Sequence, residues 1–426
     1  MDRERLEPYV GREQASVKHF LLESYLERLI MITARARYDR IAYVDAFAGP
    51  WKSAREDLTD TSFGKAIEVM HGCRVALANQ FHRSVSFRAL FVEHDPEPFA
   101  RLKKFADEKS TAEVEIRAIN EDFAESAESV AHWIRDDEMA FILIDPTGWK
   151  DVISPTTLSP LLRKPNVEML INVMWNFINL ATGHINQEQN LKNIFGEEFP
   201  ALAAEGSISE GANWMHAYLR RLRNAAGNVR APARLRTAWF PVEFPSKDRV
   251  FYYLTYVTHH VKGMIVFLEE SERTLRYQRQ MKFVVKQKRR EANTGMADIF
   301  GDTLHPEESP TWSSEFGARS LWLEILPYVG SEVYVDDSRI ADMAETCGCL
   351  ISRLQSALRR LIEEGVLENI NAGRPRPKNV VNYPRWPLQN PPPVAGSKSP
   401  RGLTGRSKCH AAGVTLTRRA AASLRR

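Results

Sequence analysis

Asp45, Glu93, Asp122 and Asp145 each stand at or just past the end of an apolar run, 48, 29 and 23 residues apart. In a doubly wound α/β fold the strand ends along one edge of the sheet gather around a ligand, so four such acids can share one site. Tyr43-Val44-Asp45-Ala46-Phe47-Ala48-Gly49-Pro50 sets a carboxylate before a glycine turn. Gly49 allows a polar ligand to approach the backbone, and Asp45 can hold an ammonium; an ordinary tight turn and a capped loop are the competing readings. In Phe91-Val92-Glu93-His94-Asp95 the two oxygens of Glu93 suit a vicinal diol, and a solvated acid at a strand end has the same sequence. In Asn120-Glu121-Asp122-Phe123, Asp122 can accept from an adenine amino group, with Phe123 as an apolar neighbour of the ring; Phe47, just past the first run, is a further candidate for cofactor binding. Asp122 can equally cap a helix, with Glu125 favourable in its first turn.

The fourth run carries the most selective pattern. Phe141-Ile142-Leu143-Ile144-Asp145-Pro146-Thr147-Gly148-Trp149 is a continuous apolar strand that stops at Asp-Pro-X-Gly followed by an aromatic. Proline fixes the backbone, so Asp145 and the Pro146 carbonyl can both face an exocyclic amine, and Trp149 can stack on a flat base. A structural turn is the alternative.

Elements that position these residues follow from the apolar pattern. A helix over about 15–38 precedes strand-like runs at Ile41–Phe47, Arg88–Glu93, Val114–Ile119, Ala140–Asp145 and Val167–Met174. Helical patterns near 62–83, 96–108, 121–137 and 155–163 alternate with them, which argues a parallel sheet covered on both faces. A helical insertion is expected at about 177–230. Two strands follow, Arg234–Phe244 and Val250–His259, and then a long polar helix from Met264 to about Glu291.

Composition bounds the class. With 43% hydrophobic and 26% charged residues the chain is globular, not disordered throughout. The greasiest run, Val167 to Leu180, is interrupted by Glu168, Asn172, Asn176 and Asn179, so no membrane span is expected. MDRERLEPYVGREQ lacks the apolar core of a signal peptide. Cys73, Cys347, Cys349 and Cys409 make neither a disulfide framework nor a zinc spacing, so a cytoplasmic setting without a metal is expected.

Charge is unevenly distributed. Beyond Glu368 there are twelve basic and no acidic residues, whereas residues 1–368 carry 46 basic against 54 acidic groups. A uniformly basic nucleic-acid binder is excluded; a basic end on an acidic body remains. Three short helices at Ser320–Val329, Asp336–Cys347 and Cys349–Glu364, then a hairpin of Val366–Ile370 with Asn379–Tyr383, suggest a winged helix-turn-helix. Its third helix presents Arg353, Arg359 and Arg360, and its wing Arg374, Arg376 and Lys378, as a nucleic-acid footprint; docking to protein is the competing use.

The four strand ends in their joint order fit a class I S-adenosylmethionine-dependent methyltransferase. The chain also resembles the three-Cys-motif partner proteins. The resemblance runs from 17 to about 385 through Lys18-His19-Phe20-Leu21-Leu22-Glu23-Ser24-Tyr25-Leu26, Asp45-Ala46-Phe47-Ala48-Gly49-Pro50, Phe63-Gly64-Lys65-Ala66, Ile144-Asp145-Pro146-Thr147-Gly148 and Thr258-His259-His260-Val261-Lys262-Gly263. It implies a Rossmann-like methyltransferase domain, expected over 1–300, with a winged helix at 313–386. The polar, proline-containing stretch Asp302–Pro310 reads as a linker at 301–312. Pro391-Pro392-Pro393 with the Gly/Ser/Ala/Arg mixture around it cannot bury a core, so 387–426 is expected as a disordered basic tail. The resemblance also implies S-adenosylmethionine as cofactor and a phage-type three-Cys-motif protein as partner. The Asp-Pro-X-Gly edge looks like that of tRNA guanine N2-methyltransferases, and Thr147 and Gly148 depart from the Asp/Asn-Pro-Pro-aromatic pattern of adenine N6 and cytosine N4 enzymes.

Methyl transfer to an amine depends mainly on alignment, with a polar acceptor holding the amine proton; Asp145 is expected in that role. Lys18, His19 and Tyr25 can close over the site, and each also suits a solvated helix face. The expectation is a methyltransferase acting on a nucleic-acid base amine, DNA or RNA. Its competitor is a non-catalytic adaptor of the same fold that binds nucleic acid and the partner protein.

Overall fold

The computed structural model describes residues 9–50, 53, 55–148, 151–182, 184–204, 211–227, 234–247, 249–294, 315–370 and 414–418. The chain divides into two compact units, residues 1–310 and 311–426. Among the described residues no helix is long and apolar enough to cross a membrane.

The larger unit is α/β, built on one seven-stranded sheet. In chain order its elements are α1 (Glu13–Ala36), β1 (Arg40–Asp45), α2 (Ser62–Phe81), β2 (Ser86–Val92), α3 (Pro96–Lys109), β3 (Val114–Ile119), α4 (Phe123–Trp133), β4 (Met139–Ile144), α5 (Pro155–Leu162) and β5 (Val167–Val173). The helices α6 (Trp175–Ala181), α7 (Glu188–Phe195), α8 (Phe199–Ala204) and α9 (Gly211–Ala225) fill the expected insertion. They lead to β6 (Arg236–Glu243), β7 (Val250–Thr258) and α10 (Val261–Thr294).

Strand order is β3-β2-β1-β4-β5-β7-β6. The first five strands are mutually parallel, and β7 runs antiparallel to both β5 and β6. Every residue of β4 and β5 is buried, as apolar runs covered by helices on both faces require. The order reverses between β1 and β4, where Asp45 of β1 lies in register with Leu143 of β4. Such a switch point opens a crevice beyond the carboxyl ends of the strands.

The smaller unit runs α11 (Glu315–Ile325), β8 (Glu332–Val335), α12 (Asp337–Cys347), α13 (Ile351–Glu363), β9 (Leu367–Asn369) and β10 (Val414–Arg418). Its second and third helices fall where the sequence pattern puts them, whereas the first, expected at Ser320–Val329, starts five residues earlier and ends four earlier. Helix α13 buries Ile351, Leu354, Leu358 and Leu361 on one side. The fully buried Trp322 donates its indole N–H to the Leu354 carbonyl at 2.8 Å, locking α11 on α13.

The sheet of this unit corrects one expectation. Among the described residues the strand beside β9 is Val414–Arg418; Asn379–Tyr383, expected as its hairpin partner, lies outside the described residues. The stretch 387–426, expected as a disordered tail, supplies that strand, which is the middle one in the order β8-β10-β9. Leu416 explains the capture: its side chain is fully buried in the core of the unit. Arg418, counted above among the free positive charges, hands its guanidinium to the carbonyls of Leu326 and Pro327 at 2.9 and 2.6 Å. The linker 301–312 lies outside the described residues.

Candidate active site at the carboxyl edge of the sheet

Asp45 ends β1 wholly buried. Ser62, the first residue of α2, donates its hydroxyl to one carboxylate oxygen at 2.6 Å, and the Phe47 N–H donates to the other at 3.2 Å. Burial nevertheless dominates and pushes the carboxyl up to about 6, with the charge of Asp145 adding to the rise. Tyr43, two residues back on the same strand face, donates to Asp45 at 3.3 Å, and burial beside these acids holds its phenol well above the usual value.

The neighbouring loops are tied to this strand end. Beyond β1 the backbone continues to pair on both sides, Ala46 N–H to the Leu143 carbonyl and Ala48 N–H to the Val92 carbonyl, each at 2.9 Å. Gly49 follows, half-buried, in the loop these bonds hold down. Glu93 is 7% exposed and turned back on its own loop, one oxygen accepting from Asp95 N–H at 2.7 Å. Asn120 clamps that loop by donating to the carbonyls of Glu93 and His94, both at 2.8 Å. Asp122 is exposed and caps α4, accepting from Ala124 N–H at 2.7 Å, the structural alternative that its sequence allowed. Phe123 is buried and meets Phe47 edge to face at 5.8 Å, so those two rings do come together.

Asp145 follows β4 and is held from two directions. Asn172, 3% exposed near the end of β5, donates its amide to one oxygen at 2.6 Å. Lys18 of α1 donates its ammonium to the other. Pro146 is buried behind Asp145, and Thr147 and Gly148 are exposed. A Cβ on Gly148 would meet nothing within 4 Å, so the mouth of the Asp-Pro-X-Gly turn is open. Trp149 lies outside the described residues.

Of the three α1 residues expected over the site, one arrives. His19 is buried and bonded to the Tyr9 hydroxyl at 2.9 Å, and burial keeps its imidazole neutral by lowering its pKa. Tyr25 donates to Glu168 at 2.5 Å. Glu168 opens β5, four residues and about 13 Å of strand from Asn172, so Tyr25 serves the amino edge instead. There Thr258 also donates to Glu168, at 2.8 Å, and any side chain at Gly263 would run into that carboxylate. This accounts structurally for the Thr258–Gly263 stretch.

Sequence reasoning missed Asn172 and Ser62. Both had a signal: Asn172 is a polar interruption of a fully buried strand, and Ser62 opens the helix that follows the glycine turn. In the small unit Arg359 and Arg360 are exposed and Arg353 is half-buried on α13. Arg374, Arg376 and Lys378 lie outside the described residues.

The donor set fits a bound S-adenosylmethionine: a buried acid for its ammonium at Asp45, an acid one strand over at Glu93, and the Phe47–Phe123 pair beside them. Asp122 fits less well, since its first oxygen is committed to the helix cap. A scan of protein-family models finds no match to this chain, and a search of curated proteins finds none either.

Proposed function

We propose that this chain is an S-adenosylmethionine-dependent methyltransferase acting on an exocyclic amine of a nucleic-acid base. The observation that carries the reading is the meeting of Asp45 and Asp145 at the switch point of a 3-2-1-4-5 sheet, each held by a neighbouring side chain. The reversed β7 between β5 and β6 departs from the all-parallel 3-2-1-4-5-6 dinucleotide sheet and is compatible with the methyltransferase-like fold that the resemblance implies. When bound, the cofactor supplies an electrophilic methyl group. Asp45 and Glu93 hold and orient the ligand, and Asp145 accepts a proton of the amine while the Asp-Pro turn fixes its direction.

We assign the small unit, in the order helix–strand–helix–helix–strand–strand, as a winged helix-turn-helix with α13 as its reading helix. It brings the nucleic acid, and a three-Cys-motif protein is the proposed partner. The competing reading, a non-catalytic adaptor of the same fold, draws support from the Lys18 ammonium that covers Asp145.

Calorimetry with S-adenosylmethionine, followed by tritiated-methyl transfer into total nucleic acid from cells lacking the gene, separates the two. Asp145→Ala should keep cofactor affinity and lose about 10²- to 10³-fold in rate. Cofactor binding without transfer favours the adaptor, and no binding at millimolar cofactor removes the methyltransferase reading.

A further inference from the structure

The Asn172 amide is half used. Its NH2 donates to Asp145 at 2.6 Å and lies 3.3 Å from the Met174 sulfur. Its carbonyl oxygen is buried and accepts from nothing. An ionised carboxylate only accepts, so the amide must turn its nitrogen to Asp145, and this fixes which atom is left over. A buried acceptor without a donor costs about 1–3 kcal/mol, so it calls for an explanation. The Lys18 ammonium bonds to the other oxygen of the same Asp145 carboxylate. Lys18 is a three-proton nitrogen donor standing where a ligand's nitrogen would stand.

We propose that Asn172 Oδ1 and Asp145 Oδ2 form a two-acceptor clamp for a primary amine, with Lys18 filling one half of it until the substrate displaces it. The inference rests on the proposed methyltransferase reading and adds Asn172 to the residues that hold its amine: a primary NH2 group satisfies both oxygens, and a hydroxyl, a carbon or a ring nitrogen does not. In the step itself the amine lone pair forms the N–C bond and the S–C bond breaks with its electrons remaining on sulfur. One N–H proton passes to Asp145 while Asn172 holds the other. Asn172 thus touches the reacting amine and also orients Asp145.

A binding test does not depend on turnover. Adenosine, guanosine and cytidine 5′-monophosphates carry a primary exocyclic amine and uridine 5′-monophosphate carries none, so the four are titrated separately by calorimetry. The full chain should bind at least one amino nucleotide about tenfold or more tighter than uridine monophosphate, since a site built to pair donors rejects analogues lacking them. Asn172→Leu, similar in volume without the acceptor, should abolish the preference at unchanged thermal midpoint. Asn172→Asp should retain it near pH 6 and lose it by pH 8, because a protonated acid can still donate to Asp145 and accept from the amine. Charged or titratable groups around that position are Lys18 from α1, Asp145 after β4, Asp45 and Tyr43 from β1, and Tyr252 from β7. Should Asn172→Leu unfold, the pH response of Asn172→Asp decides. Equal affinity for all four nucleotides, no binding of any, or a preference surviving in Asn172→Leu overturns the clamp. Preference without tritium transfer overturns the methyltransferase reading and leaves the clamp standing.

Discussion

Lys18 and Asp145, 127 residues apart, form an ion pair that ties the second turn of α1 to the end of β4. Both side chains keep partial access to solvent, 12% and 20%, so the pair is weak enough for a ligand to replace. Lys18→Met should lower KM for the amine substrate about threefold to tenfold, the equivalent of about 1 kcal/mol of lost competition. Steady-state kinetics on the nucleic acid identified by methyl incorporation reads it directly, and a raised KM would mean that Lys18 itself binds substrate.

Asp45 makes cofactor affinity pH-dependent. Its carboxyl is pushed up to about 6, so below that pH it is mostly neutral and cannot pair with an ammonium. Affinity for S-adenosylmethionine should fall roughly tenfold per pH unit below about 6 and level off above it, with a proton released on binding near the midpoint. In the free protein the sign is opposite: the raised value stabilises the fold at low pH, and that contribution is lost as pH rises from about 4 through about 6. Calorimetry in buffers of differing ionisation enthalpy counts the released proton; a flat affinity from pH 5 to 8 would remove Asp45 from the ammonium site.

Gly64 has no room for a side chain. A Cβ there would sit 2.2 Å from the carbonyl oxygen of Leu58, whose own φ of +56° is already the left-handed one that non-glycine residues avoid. Thr61 caps α2 on the Gly64 N–H at 3.0 Å, and the helix it starts presents Ser62 to Asp45. Gly64→Ala should cost about 1–3 kcal/mol in urea unfolding. It should also weaken cofactor binding, because the strain is passed on to Ser62.

Arg359 and Arg360 are the exposed basic residues of α13. If that helix lies against nucleic acid, replacing both by alanine should reduce the slope of log affinity against log salt by about 0.9 per lost phosphate contact on duplex DNA. An unchanged slope in DNA and RNA titrations assigns the small unit to protein docking.

Deleting 387–426 removes β10 along with eight basic residues. Helices α11 to α13 should then lose amide protection in hydrogen exchange, because β8 and β9 no longer share a strand and the Leu416 cavity stays open. Retained protection across 315–363 would show that the strand is dispensable.

Much of the larger unit was legible because β1, β4 and β5 are buried almost throughout and read as apolar runs, while the edge strand β3 alternates apolar and polar residues, and each is followed by a helical period. Wedging of a reversed β7 between β5 and β6 was not, since neighbour order in a sheet leaves no mark on local composition. At the site the acids were visible as strand-end punctuation and Lys18 as a candidate over them, whereas Ser62 and Asn172 were not: each is an ordinary polar residue until folding brings it to Asp45 or Asp145. Asp122 shows the converse, a residue whose two readings share one pattern, and whose backbone bond to Ala124 selects the cap. The β10 strand escaped because a single buried Leu416 among small and basic residues carries too little hydrophobic signal to mark a strand.

That strand also sets a timetable for synthesis. Between Asn369 and Val414 lie 44 residues, which at about 5–20 residues per second take about 2–9 s to make. Throughout that interval α11 to α13 are complete while β8 and β9 stand with unpaired edges, open to any extended segment from another chain. The small unit therefore becomes competent only once Val414–Arg418 has been made, and crowded polysomes, where neighbouring chains expose the same two edges, are where its misassembly would begin.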